Sequence, residues 1–166
     1  MASTYSFDIV SEFDKGEMIN VLDQTQREIA SRYDFKGSSA SIDWVDGDRN
    51  GFKLIADHKM QLDALIDTLH KKAINRNVDI RVFDETAEPI ESNLKVTQII
   101  KFRVGLDQEK AKKITNLIRE NLPKVKSQIQ GDTVRVTSPK KDELQQVMSL
   151  VNGAYLDFPT NFNNYR

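Results

Sequence analysis

The 166-residue chain contains no cysteine, and this absence excludes several kinds of bond and site. Disulfides, thiolate metal sites and a cysteine nucleophile are all excluded, as is typical of a cytoplasmic protein. Long apolar runs are also absent, so we expect no segment to span a membrane. The first residues, MASTYSFDIVSEF, show neither a basic start nor an apolar core, and we expect no signal peptide. The sequence therefore predicts a cytoplasmic protein.

The residue patterns of common catalytic and metal sites are missing too. The only histidines, His58 and His70, lie at opposite ends of one predicted helix, so they cannot share a metal ion or a catalytic triad. The sequence has no phosphate-binding glycine loop, no GxSxG elbow and no metal-binding helix motif. Residues 46–57 have the spacing of a calcium loop, but predicted strands flank them, and Asp, Asn and Gly are also typical of a hairpin turn. We predict a protein without metal, cofactor or enzymatic activity.

Charge is abundant in this chain and unevenly distributed. The chain has 24 basic and 25 acidic side chains and a net charge of −1. Residues 1–91 hold 11 basic and 18 acidic side chains, whereas residues 92–166 hold 13 and 7. Because a basic surface attracts anions, we expect the second half to carry a site for an anionic ligand.

The two halves repeat one order of elements. The run FKLIADHKMQLDALIDTL at 52–69 and the run TVRVTSPKKDELQQVMSLV at 133–151 place apolar residues 82 positions apart. In the first half, periodicity predicts strands at 6–13, 33–45, 51–56 and 78–82, with helices after Asp14 and at 59–74. In the second half it predicts strands at 95–105, 124–130, 133–137 and in the tail, with helices after Asp107 and from Pro139 to Gly153.

This β-α-β-β-α-β order predicts an α+β fold with two tandem ferredoxin-like halves. Each half would be a four-stranded antiparallel sheet with both helices on one face. Residues 1–88 would form the first, acidic half and residues 93–166 the second, basic half. The polar segment 85–93 is the predicted linker. The pattern leaves open a strand exchange, in which the first strand of one half completes the sheet of the other.

Strand alternation predicts which side chains of the second half lie on the helix-free face of its sheet. Ile100, Phe102 and Val104 should face the helices. The side chains expected on the free face are polar or cationic: Lys95, Thr97, Lys101, Arg103, Lys126, Gln128, Gln130, Thr133, Arg135 and Thr137. Guanidinium and ammonium groups suit phosphate, and amides suit base edges. A solvated face without a ligand is the alternative, and the aromatic residues with which RNA-recognition motifs stack bases are missing.

Four stretches of the chain resemble the YajQ family of bacterial nucleotide-binding proteins. They are SFDIVSE, YDFKG at 33–37, VKSQIQGDTVRVTSPKKDELQQVM at 125–148 and the closing FNNYR. The resemblance implies two ferredoxin-like halves and nucleotide or nucleic-acid binding without an established catalytic activity. It also implies, for some members, cyclic di-GMP sensing and partnership with transcription regulators. It adds Lys36 of YDFKG and the terminal Arg166 to the candidate ligand contacts.

Together these patterns predict a non-enzymatic protein that binds RNA or a guanine nucleotide such as cyclic di-GMP on a basic sheet face. Phosphate would contact the cations Lys101, Arg103, Lys126 and Arg135, and bases would contact Gln128 and Gln130. The alternative is an adaptor that docks a basic partner, such as a transcription regulator, through Asp8, Glu12 and Asp43 of the acidic half.

Overall fold

The computed structural model of the protein describes residues 4–45 and 48–166. Within these residues it contains four α-helices, nine strands and a 3₁₀ turn at Ile80–Val82. The helices are α1 (Lys15–Ser31), α2 (Lys59–Asn75), α3 (Gln108–Asn121) and α4 (Lys141–Asn152). The strands are β1 (Tyr5–Val10), β2 (Ser41–Val45), β3 (Asp48–Ala56), β4 (Phe83–Asp84), β5 (Ile90–Ser92), β6 (Lys95–Phe102), β7 (Lys126–Gln130), β8 (Thr133–Ser138) and β9 (Asn161–Asn163). Residues 46 and 47 of the predicted first hairpin turn and calcium-like loop lie outside the described residues.

Two helices begin at the N-cap residues that the sequence predicts. Asp14 accepts a hydrogen bond from the backbone N–H of Glu17 at 3.0 Å, which confirms it as the N-cap of α1. Asp107 caps α3 in the same way, at 2.8 Å from the backbone nitrogen of Lys110. The predicted start at Pro139 is wrong by two residues, because Ser138 pairs with Tyr5 in the sheet and its hydroxyl accepts from the N–H of Lys140.

Replacing Asp14 with alanine should lower the free energy of unfolding by about 1 kcal/mol, because the N–H of Glu17 loses its acceptor. Asp14→Asn keeps a side-chain oxygen at the cap and should retain most of the stability. Urea unfolding of the two variants and the wild type measures the difference. Equal losses in both variants would contradict the capping role.

The strands form two antiparallel sheets. The four-stranded sheet has the order β7-β8-β1-β9, and the five-stranded sheet has the order β2-β3-β6-β4, with β5 also paired to β6. The N-terminal strand β1 therefore lies between two strands from the C-terminal half. In return, β6 lies beside β3, with Phe52 opposite Ile100. The two sheets, each covered by two helices, form a duplicated ferredoxin-like α+β fold in which two strands are exchanged.

The exchange divides the chain into two compact units. The split unit comprises residues 4–12 and 104–166, and the continuous unit comprises residues 13–103. These units differ from the predicted halves 1–88 and 93–166. The predicted linker contributes β5, which turns through Asn93 and Leu94, both at positive φ, and pairs with β6. The predicted fourth strand at 78–82 is mostly a 3₁₀ turn, and the short strand β4 that follows it pairs with β6.

The strand exchange also removes most of the charge asymmetry. Residues 13–103 carry 14 basic and 16 acidic side chains, and the remainder of the chain carries 10 and 9. Lys95, Lys101 and Arg103 belong to the continuous unit, together with β6. Asp8 and Glu12 belong to the split unit, together with β1. The predicted division into an acidic and a basic half is therefore not a property of the folded units. Because neither unit has a large net charge, a site for an anion must be located from the positions of individual charged side chains.

Each unit has its own hydrophobic core. In the split unit, Phe7 and Ile9 of β1 pack with Val134 and Val136 of β8 and with residues of α3 and α4. In the continuous unit, α1 and α2 cover a core whose fully buried sheet residues include Phe52, Leu54 and Ile100. Among the described residues, no helix combines the length and the apolar character that crossing a membrane requires.

Candidate functional site

The helix-free side of the four-stranded sheet presents two adjacent rows of polar residues. The register of the paired strands aligns Gln128, Arg135, Asp8 and Asn163 in one row. The next row contains Lys126, Thr137 and Ser6, and the backbone of Arg166 exchanges hydrogen bonds of 2.9 and 3.0 Å with Ser6. We call this surface the polar sheet face: Ser6, Asp8, Lys126, Gln128, Gln130, Thr133, Arg135, Thr137, Asn163 and Arg166.

An ion pair between Arg135 and Asp8 occupies the centre of the polar sheet face. Nε of Arg135 donates to Oδ1 of Asp8 at 3.0 Å, and Nη2 donates to Oδ2 at 3.5 Å. Nδ2 of Asn164 donates a further bond of 2.8 Å to Oδ2. The Asp8 side chain is 6% exposed, whereas that of Arg135 is 37% exposed. A nearly buried carboxylate thus holds a guanidinium whose other edge reaches solvent.

The charges of this pair stabilise one another. The hydrogen bond from Arg135 holds the pKa of Asp8 below its ordinary value, against the opposing effect of burial. Asn164 and the charge of Arg166 lower the pKa of Asp8 further. The same hydrogen bond raises the pKa of Arg135. Both groups are therefore ionised at neutral pH, and the contacts with Asp8 leave Nη1 of Arg135 available to a ligand.

Three further predicted site residues lie on β7, at the edge of the same sheet. Lys126, Gln128 and Gln130 alternate along this strand, and all three are exposed. Gln128 lies directly opposite Arg135 in the register. Of the eight predicted site residues, the structure thus brings five together on the polar sheet face: Lys126, Gln128, Gln130, Arg135 and Arg166.

The other three predicted residues do not belong to this surface. Lys101 is exposed on β6, opposite Gly51, in the continuous unit. Arg103 follows β6, and its Nη1 donates to the carbonyl oxygens of Arg81 at 3.0 Å and Phe83 at 3.2 Å. This guanidinium therefore anchors the segment around β4. Grouping these two residues with Arg135 was wrong because β6 pairs with β3 in the other sheet.

Alternation along β6 holds only as far as the strand extends. Phe102 faces the core, as predicted, and is buried. Val104 was also expected inside, but it lies beyond the last residue of β6 and is 55% exposed.

Lys36 lies in a third place. It is exposed in the turn after α1 and lines a cavity of about 660 Å³ together with Gln26, Phe35 and Asp43. This cavity belongs to the continuous unit, since all its lining residues fall within 13–103. Lys36 therefore does not share a surface with Arg135 within one unit.

The acidic residues proposed for the adaptor alternative are also separated. Asp8 is buried beneath Arg135, and Glu12 follows β1 in the split unit. Asp43 is exposed on β2 of the five-stranded sheet, opposite Lys53. These three carboxylates form no common docking surface within either unit. Among residues 4–45 and 48–166, no group of three or more His, Asp or Glu side chains is arranged to hold a metal ion.

Comparison with known proteins identifies the family of this chain. The family model described as "Nucleotide-binding protein YajQ-like" matches residues 5–166. A protein of Synechococcus sp. (strain CC9605) is 44% identical over 100% of both chains, and one of Trichodesmium erythraeum (strain IMS101) is 43% identical over the same share. A protein of Psychromonas ingrahamii is 44% identical over 97% of this chain and 98% of its own. All three relatives are named nucleotide-binding proteins.

Proposed function

Because the chain belongs to the YajQ-like family of nucleotide-binding proteins, we propose that it binds a nucleotide or nucleic acid on its polar sheet face. The ligand class is RNA or a guanine nucleotide such as cyclic di-GMP, bound without chemical conversion in the cytoplasm. Phosphate oxygens contact the cations, and base edges contact the amides of Gln128 and Gln130.

The observation that carries this proposal is the Arg135–Asp8 pair. An arginine side chain in solution samples many rotamers, and fixing it for a ligand costs conformational entropy. Here Asp8 fixes the guanidinium through two donors before any ligand arrives. The remaining donors face the open side of the sheet, where a phosphate or a guanine edge can accept them.

The charges around this pair also favour an anion. The polar sheet face combines the cations Lys126, Arg135 and Arg166 with one carboxylate side chain, that of Asp8. Because Asp8 is nearly buried, the outer surface is positive. Contacts between such side chains and phosphate weaken with salt, as the release of counterions requires.

The adaptor alternative has less support. Asp8 and Asp43 belong to different sheets, and Asp8 already pairs with Arg135. Docking of a basic transcription regulator would therefore require a surface other than the predicted one.

The double variant Arg135→Gln with Lys126→Gln should bind a short single-stranded RNA about tenfold more weakly. Two lost phosphate contacts should also make the slope of log K against log salt shallower by about 1.4. Glutamine keeps a donor near Asp8, so the carboxylate does not lose every partner. Filter binding at several salt concentrations measures both quantities, and the same titration with cyclic di-GMP tests the smaller ligand.

The matched control is Lys95→Gln with Lys101→Gln, which removes two exposed cations from β6 of the other sheet. This control should leave RNA affinity and its salt slope nearly unchanged. If the control variant loses affinity while the Arg135 and Lys126 variant retains it, the site is not the polar sheet face.

A further inference from the structure

A small cavity beside α4 combines aromatic, apolar and cationic side chains. Its volume is about 320 Å³, close to the lower limit for small-molecule sites. Tyr5 and Tyr165 contribute rings, Leu144 and Met148 contribute apolar surface, and Lys141 and Gln145 contribute polar groups. All of these residues belong to the split unit. Residues of α4 line one side of the cavity, and Ser6 and Arg166, which also belong to the polar sheet face, complete its lining.

The ring of Tyr165 is held in place although much of it is open to solvent. One face stacks on the buried ring of Phe7, with a centroid distance of 6.1 Å and an interplanar angle of 24°. The next residue, Arg166, is tied to Ser6 by two backbone hydrogen bonds, which fix the chain on that side. Tyr165 is nevertheless 61% exposed. A held, accessible aromatic ring is a platform on which a planar group can stack.

Charge in the cavity selects an anion. Lys141 is the first residue of α4, and its ammonium group lies 5.2 Å from the centroid of the Tyr5 ring. The cavity lining contains the cations Lys141 and Arg166 and no aspartate or glutamate side chain. The amide of Gln145 adds hydrogen-bonding capacity for a sugar or a base. A ligand that complements these groups carries a planar ring and a negative charge, and the distance between the two is no longer than one mononucleotide.

We propose that this cavity is a second ligand site, which binds one mononucleotide. The base stacks on Tyr165 and contacts Met148, while the phosphate pairs with Lys141. This site shares Ser6 and Arg166 with the polar sheet face, but neither Arg135 nor Lys126 lines it. It provides the aromatic stacking that the residues of the polar sheet face do not offer.

The methionine methyl groups provide a direct test with guanosine 5′-monophosphate as the probe. In protein labelled with ¹³C at the methionine methyls, the Met148 resonance should shift on titration because a stacked base exerts a ring current. Met60, which is exposed on α2 in the continuous unit, is the internal control and should not shift. Inorganic phosphate alone should shift Met148 much less than the nucleotide. A nucleotide that binds by calorimetry without shifting Met148 would overturn the proposal.

Substitutions separate the two chemical contributions. Tyr165→Ala should weaken binding of the mononucleotide at this site about tenfold, whereas Tyr165→Phe should retain it, because the stacking ring is kept. Tyr155→Ala is the matched control, since Tyr155 is 98% exposed in the same unit. Lys141→Ala should weaken the nucleotide about fivefold and guanosine hardly at all, and Lys112→Ala on α3 should change neither. Unchanged affinity in Tyr165→Ala, with an intact circular dichroism spectrum, would contradict the stacking platform.

This test also distinguishes the two sites. The variant Arg135→Gln with Lys126→Gln should leave the Met148 shift unchanged, because neither residue lines the cavity. Loss of the shift in that variant would show that the cavity is not a separate site. Loss of RNA binding without loss of the shift would concern the polar sheet face alone.

Discussion

Replacing Phe7 with alanine is expected to destabilise the split unit by about 3–5 kcal/mol. Phe7 is fully buried, and its ring meets Phe162 edge-on at a centroid distance of 5.4 Å and stacks with Tyr165. Removal of this ring leaves a cavity between β1 and α4, which the close-packed surroundings can fill only in part. Because β1 is the exchanged strand, the location of the damage tests the topology itself.

Hydrogen–deuterium exchange followed by mass spectrometry shows which part of the protein loses stability. In Phe7→Ala, peptides that cover β8 should exchange faster, because β8 is hydrogen-bonded to β1. Peptides that cover β3 should keep their protection. The matched variant Phe52→Ala should show the reverse pattern, since Phe52 is fully buried in the core of the continuous unit. Faster exchange of β3 in Phe7→Ala would mean that β1 pairs within the first half, as it would without a strand exchange.

The strand exchange is the part of the fold that sequence patterns could not determine. Phe7 and Ile9 identify β1 as a strand with one buried face, and this much was predicted from alternation. Alternation does not say which neighbour a strand pairs with, and a duplicated scaffold offers two equivalent places for it. The helices are easier to predict from the sequence, because they depend on local signals. One such signal is the side chain of Asp14, which accepts a hydrogen bond from the backbone N–H of Glu17.

The candidate site shows the same division between local and long-range information. The outward direction of Lys126, Gln128 and Arg135 follows from alternation within their own strands, and the structure confirms it. The grouping of these residues with Lys101 and Arg103 required knowledge of strand pairing, and it was wrong. Asp8 was expected among the acidic residues of a docking surface. Its contact with Arg135, 127 positions away in the chain, arises only from the register of β1 on β8.

Asp8→Asn should lower the free energy of unfolding by about 2 kcal/mol. Asparagine has nearly the same shape, but it loses the charge and one of the two oxygens that accept hydrogen bonds from Arg135 and Asn164. The loss is smaller than for a fully buried ion pair, because Arg135 is partly solvated. Chemical denaturation of the variant at neutral pH measures it. Asp43→Asn, an exposed carboxylate on β2, is the control and should change stability little.

The same variant separates positioning from simple electrostatics in ligand binding. If Asp8 only reduced the local positive charge, its removal would strengthen RNA binding. If Asp8 holds Arg135 in place, its removal frees the guanidinium, and RNA should bind about fivefold more weakly because the side chain must be ordered on binding. We expect the weaker binding, with filter binding as the measurement and Asp43→Asn again as the control. Tighter binding by Asp8→Asn would exclude the positioning role.

The pH dependence of stability provides an independent check on the ion pair. The folded protein lowers the pKa of Asp8, so the unfolded chain takes up a proton first as the pH falls. The contribution of the pair is therefore complete at neutral pH and diminishes below the ordinary carboxyl pKa of about 3.9, as the pH approaches the lowered value. The difference in stability between the wild type and Asp8→Asn should shrink over that acidic range and stay constant above it. A difference that instead grew on acidification would mean that folding raises the pKa of Asp8, and the ion pair with Arg135 would then not account for its ionisation.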